Sequence, residues 1–174
     1  IHLLEKDRQA GKLLSESLFK TLDSVGNCKN CRIFSEKEVC NICSNLKRDP
    51  NTLCVVESVA DVFAIEESNQ YQGRYFVLHG SLSPIDNLGP DELGLNQLFL
   101  LVKENKISEI ILATNSTLEG EATSHFIYDN LKEIDMLRIT KLARGVPLGG
   151  ELEYVDGGTI MHALSGRINL KKDN

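Results

Sequence analysis

No apolar run in this 174-residue chain approaches the roughly 20 residues that cross a bilayer. Nothing at its start has the order of a secretory signal. The first residue is Ile1, so the natural N-terminus is expected further upstream. No G-x-x-x-x-G-K-S/T loop is present, which removes ATP hydrolysis of the P-loop kind. The four histidines, His2, His79, His125 and His162, lack metal-ligand spacing, and each reads as structural or exposed.

What is present is enough for one good core and a small satellite. Hydrophobic residues make up 41% and charged residues 25%, ordinary for a globular protein. The net charge of −6 is unevenly spread. Residues 1–50 carry nine Lys/Arg against seven Asp/Glu, whereas residues 51–164 carry seven against seventeen. An acidic middle repels phosphate, so nucleic-acid contacts are expected at the two ends.

Residues 1–25 read as helical, because Leu14, Leu18, Leu22 and Val25 form one stripe of a 3.6-residue period. Lys6, Arg8, Lys12 and Lys20 decorate other positions, but Glu5, Asp7 and Glu16 interrupt them, which favours a solvated face over a phosphate strip. Next come Cys28-x2-Cys31 and Cys40-x2-Cys43. Two such pairs complete a tetrahedral all-sulfur site, best suited to structural zinc, with an iron–sulfur cluster, disulfides or a redox pair as the competing readings. Four protein ligands leave no open position, so the metal would be a staple. So short a segment has almost no core of its own, and metal binding should supply its folding energy. It is therefore expected to unfold alone when Cys31 is lost. Asp49-Pro50-Asn51 marks its end.

Residues 53–143 alternate strand and helix, which implies parallel strands with right-handed crossovers. Leu53–Val56, Tyr75–Leu78, Ile110–Ala113 and Leu137–Leu142 are the expected strands, and Cys54 reads as core. Residues 80–91 form a long polar loop, a length that is often functional. Two strands break into polar turns that cap helices. In one, Glu57 ends the strand and Ser58 with Asp61 reads as a capping box. In the other, Thr117 is the expected N-cap. Both turns belong at the carboxyl edge of a parallel sheet, where ligands of open α/β sheets bind. They would place Glu57, Asn115, Thr117, Glu119 and Glu121 around one crevice. Beyond residue 144, Arg144-Gly145-Val146-Pro147-Leu148-Gly149-Gly150 and Asp156-Gly157-Gly158 read as turns, and Thr159–Leu164 as a short helix. The basic tail Arg167, Lys171 and Lys172 either swaps onto a neighbouring subunit or frays.

The four cysteines, Leu-Cys-Val-Val-Glu-Ser at 53–58, Gly-Arg-Tyr-Phe-Val-Leu at 73–78, Ala113-Thr114-Asn115 with Glu119-Gly120-Glu121-Ala122-Thr123, and Gly145–Glu153 form an ordered set. That order closely resembles the RecR family of bacterial recombination mediators, over nearly the whole chain. The resemblance implies an α/β fold with a Toprim-like parallel-sheet core. Its expected parts are a helical segment at 1–26 left from a helix-hairpin-helix region, a four-cysteine zinc finger at 27–49, a Toprim domain at 50–143, and a C-terminal segment at 144–174. It also implies a cytoplasmic, nucleoid-associated, non-enzymatic role in DNA repair. Relatives of this kind form homo-oligomeric rings around DNA and act with RecO, and in some settings RecF, to load RecA onto SSB-coated single strands. This chain departs at its start. Ahead of Cys28 the only glycines are Gly11 and Gly26, with no glycine-containing hairpin for phosphates, so DNA binding is expected to be weakened.

Catalytic Toprim enzymes hold Mg2+ with a glutamate and an Asp-x-Asp pair. Here Glu57 matches the glutamate, while Asn115 and Thr117 stand at the aspartate positions. Magnesium wants hard, preferably anionic oxygens. The expected result is a degenerate crevice with at most a weak Mg2+ site at Glu119 and Glu121, open to a basic partner such as RecO. The rival reading is a Mg2+-dependent nuclease or primase-like enzyme on the same fold.

Overall fold

The computed structural model describes residues 1–168; Lys171 and Lys172 of the basic tail lie outside them. The chain divides into two compact units, residues 1–140 and 141–174.

The first unit opens with two helices, α1 (His2–Glu5) and α2 (Arg8–Ser24). The helical segment expected over residues 1–25 is broken, because Asp7 leaves helical geometry and its carboxylate accepts the Ala10 N–H at 2.9 Å, starting α2 afresh. The apolar stripe exists but has no cover among the described residues: Leu14, Leu18 and Leu22 are all exposed.

Strands β1 (Gly26–Asn27) and β2 (Phe34–Ser35) form a small antiparallel pair within the cysteine segment. The main sheet has four strands, β3 (Thr52–Val56), β4 (Arg74–Val77), β5 (Glu109–Ala113) and β6 (Arg138–Lys141), in the order β4-β3-β5-β6. Both neighbours of β3 run parallel to it, with Val56 opposite Val77 on one side and Ala113 on the other. Helix α3 (Val59–Glu67) links β3 to β4, α4 (Leu95–Glu104) leads to β5, and α5 (Leu118–Leu131) follows β5. The chain leaves β3 toward one neighbour and returns past it to the other. The strand order therefore switches between β3 and β5, and their carboxyl ends flank a crevice.

The period-2 geometry of β3 sends its side chains into two cores. Leu53 and Val55 join Phe76, Leu78, Ile110 and Leu112 against α4 and α5. Cys54 and Val56 join Tyr75, Val77, Ala113 and Val62 of α3. Burial on both faces explains why β3 is a continuous apolar run without alternation. Cys54 is 2% exposed, and burial, then the charge of Asp61, pushes its thiol up to about 12.

The second core also contains Cys28, Cys31, Ile33, Cys40 and Cys43. This corrects the expectation of a self-contained satellite: the cysteine segment completes the cover of one sheet face. Backbone bonds fasten it there, with Val77 N–H donating to Cys31 O at 2.9 Å and Asp49 N–H to Gln72 O at 2.8 Å. At its far end Arg48 grips Glu66 of α3 through both guanidinium Nη atoms and donates to Gly73 O at 3.0 Å. Tyr75 Oη donates to the same carboxylate at 2.5 Å. Burial alone would raise the Glu66 pKa, but hydrogen bonds from Arg48 and Tyr75 and the Arg48 charge outweigh it and hold it below the ordinary 4.5. A carboxyl depressed on folding stabilises fully above its unfolded pKa, and that contribution fades as pH falls through the folded value. Urea midpoints followed from about pH 6 to 3 should drop more steeply for the native chain than for Glu66→Gln. Parallel curves would show that this pair carries no such linkage.

The second unit holds a 3-10 turn, Leu152–Tyr154, and α6 (Gly157–Ser165). Asp156-Gly157-Gly158 is not a free turn: Asp156 caps α6 by accepting from Thr159 N at 3.0 Å and Oγ1 at 2.6 Å, and the glycines form the first turn. Before it, Gly150 N–H closes onto Pro147 O at 3.1 Å with Gly149 at φ +80°, a sharp bend as expected.

Candidate functional site

Two constellations stand out, one at the cysteines and one at the crevice.

The Sγ atoms of Cys28, Cys31, Cys40 and Cys43 all lie within 4.8 Å of one another, and those of Cys31 and Cys40 are 3.5 Å apart. All four are buried as free thiols. A tetrahedron with Zn–S bonds of about 2.3 Å has edges of about 3.8 Å, so the donor set fits zinc. Backbone N–H groups already point at sulfur: Cys40 N donates to Cys28 Sγ at 3.3 Å, and Cys43 N to Cys40 Sγ at 3.4 Å. Burial opposes a Cys28 thiolate, but backbone donors at Cys31, Cys40 and Asn30 prevail and lower its pKa to about 7. Cys31 goes the other way. Its hydrogen bond with Cys43 and its burial push it far up, and the charge of Cys43 adds to this. Sulfurs this crowded cannot all be anionic without a cation among them. A bound Zn2+ would supply that charge and cross-link the two knuckles.

At the crevice the structure joins some of the expected residues closely. Glu57, 8% exposed, follows β3 directly. Its Oε1 accepts the backbone N–H of Asn115 at 2.9 Å, and its Oε2 accepts Asn115 Nδ2 at 2.6 Å. Both carboxylate oxygens are thus bound by one residue just past the end of β5. Thr117 caps α5, with its hydroxyl accepting Gly120 N–H at 3.1 Å. Ser58 and Asp61 form the expected box on α3. Glu119 and Glu121 lie in the first turn of α5, where carboxylates favour the helix dipole. They do not join Glu57 in a metal-sized cage: among the described residues, the four cysteines are the only group of three or more such ligands within 4.8 Å.

Several contributors escaped sequence reasoning. Gly120 passes so close to the clasp that a Cβ there would stand 2.7 Å from Glu57 Oε1 and closer still to the Asn115 carbonyl. Thr114 Oγ1 donates to Gly120 O at 3.0 Å and pairs with Ser124 Oγ at 2.7 Å. Thr123 Oγ1 accepts Leu82 N–H at 2.8 Å, tying the long 80–91 loop to α5. The small residues Gly120, Thr123 and Ser124, all buried, were the available signal, since only small side chains allow α5 this near the turn.

Family models match three segments in order. The zinc finger domain of RecR, with its four cysteines, matches residues 25–45, the Toprim domain 51–143, and the RecR C-terminal segment 145–168. The Toprim match alone spans more than half of the chain, and the zinc-finger match contains all four clustered cysteines. The four-sulfur site and the Toprim crevice therefore sit in one polypeptide in this order, and the chain belongs to the RecR family of recombination and repair proteins.

Proposed function

We propose that the chain serves recombinational repair as a non-catalytic scaffold, and that its Toprim crevice receives a protein partner instead of running phosphoryl transfer. The observation that carries this reading is the clasp between Glu57 and Asn115. A catalytic Mg2+ needs several hard oxygens, most of them free to turn toward it. Glu57 spends both oxygens on Asn115 donors. Asn115 and Thr117 bring an amide and a hydroxyl in place of anions, and the Thr117 hydroxyl is held by a helix end. A metal entering here would have to compete with the Asn115 donors for the Glu57 oxygens.

The same edge suits docking. Leu118 is 85% exposed beside Glu119 and Glu121, an apolar knob flanked by acids. A basic surface such as that of RecO, or of RecF in some settings, is the partner we infer. A homo-oligomeric ring and delivery of RecA to SSB-coated single strands complete the reading.

With Mg2+ or Mn2+, the purified chain is expected neither to cleave nor to extend single- or double-stranded DNA, measured on end-labelled oligonucleotides. Turnover that disappears in Glu57→Gln would replace this reading with the enzymatic one.

A further inference from the structure

We propose that Arg74 is a counter-charge for the four-sulfur centre. Four thiolates around one Zn2+ keep a net negative charge of two, and these four cysteines are buried among Val56, Val62, Tyr75 and Val77. A buried charge is costly unless something offsets it, and groups just outside a metal's ligands tune its affinity.

The cations of this region are mostly committed. Lys29 pairs with Glu38 at 2.8 Å, on the surface. Arg48 is paired with Glu66. Arg32 donates to the carbonyls of Leu78, Leu93 and Glu92 and lies over the Phe76 ring. Arg74 differs. It opens β4, the outer strand of the sheet, one residue before Tyr75 and on the opposite face from it. Its Nε is buried and has no hydrogen-bond partner among the described residues. Among those residues no ion pair holds it; Asp49 attracts it only at longer range, and that carboxylate is bound by Thr52 and Asn51. Arg74 lines a cavity of about 80 Å³ at the amino edge of the sheet, together with Cys43 and Asn30, which lies between Cys28 and Cys31. A permanently charged guanidinium thus lines one partly open cavity with a metal ligand and a knuckle residue. That space is large enough for water to relay its donors to sulfur.

The test is competition for zinc between the full chain and a chromogenic chelator. Arg74→Met keeps the bulk and loses the charge, and should weaken zinc binding about 10- to 100-fold. Arg74→Lys should retain most of the affinity. In the cobalt-substituted protein, the thiolate-to-metal charge-transfer band of Arg74→Met should shift relative to the native chain, while that of Arg74→Lys should not. Equal zinc affinity in the native chain and Arg74→Met would overturn the proposal. So would equal losses in Met and Lys variants with an unchanged cobalt spectrum, because that pattern reports packing and not charge.

Discussion

Cys31→Ala is expected to lower the melting temperature of the whole α/β unit by at least about 10 °C, and not merely to release a peripheral finger. Structural zinc supplies an apparent ~10–16 kcal/mol in small four-ligand modules, as much as the ~5–15 kcal/mol that holds a typical domain folded. Where that energy goes depends on what the cysteines touch. Here they share one apolar cluster with Cys54 and Val56 of β3 and Tyr75 and Val77 of β4. The Val77 N–H to Cys31 O bond and the His79 Nε2 contact with Arg32 O at 2.8 Å hold the knuckle across the end of β4. Freeing the knuckle would therefore expose the sheet face beneath it. Far-UV circular dichroism during heating, with zinc measured on the same sample, decides the point. The native chain should carry about one zinc. A variant that loses its zinc yet melts like the native chain would show that the sheet stands without its cover.

Much of this arrangement was legible in the residues alone, because the signals were local. Ser58 and Asp61 announced a capping box, Thr117 announced a cap, and both were found in place. The apolar runs at 53–56 and 110–113 became the two central strands within a residue at each end. The four cysteines form a set by spacing and are gathered as a set in space. What was not legible depended on tertiary partners. The segment 27–49 is too short for a core, which suggested independence; it has one because β3 and β4 lend theirs. The break at Asp7 and the capping role of Asp156 turn on a single side chain choosing a backbone donor. Glu57 and Asn115 were placed at neighbouring strand ends by pattern, yet pattern could not show that one residue would occupy both oxygens of the acid. That needs the register in which Val56 lies opposite Ala113, so that the residues just beyond meet.

Gly120→Ala provides the sharpest test of that register, because local and tertiary effects have opposite signs. In a helix, alanine is favoured over glycine by about 1 kcal/mol. Gly120 lies in the first turn of α5 and is not among the positive-φ glycines, so propensity alone would make the substitution stabilising. The surroundings oppose it. The added methyl would run into the Asn115 carbonyl and stand 2.7 Å from Glu57 Oε1. The obstacle is backbone and a carboxylate already fixed by two hydrogen bonds, and neither is a flexible side-chain tip. Relief requires α5 to move off the turn, which would also stretch the Thr114 bond to Gly120 O and the Thr117 cap. Overpacking of this kind typically costs about 1–3 kcal/mol, so after the gain in propensity the net change should be destabilising by about 1 kcal/mol. Chemical denaturation of Gly120→Ala and the native chain in the same buffer measures it. A stabilised variant would mean that α5 sits farther from Glu57 than described, and that the crevice has room for a cation after all. Destabilisation accompanied by loss of binding to a RecO-type partner would tie the clasp to docking, because the substitution leaves every surface charge of the crevice unchanged.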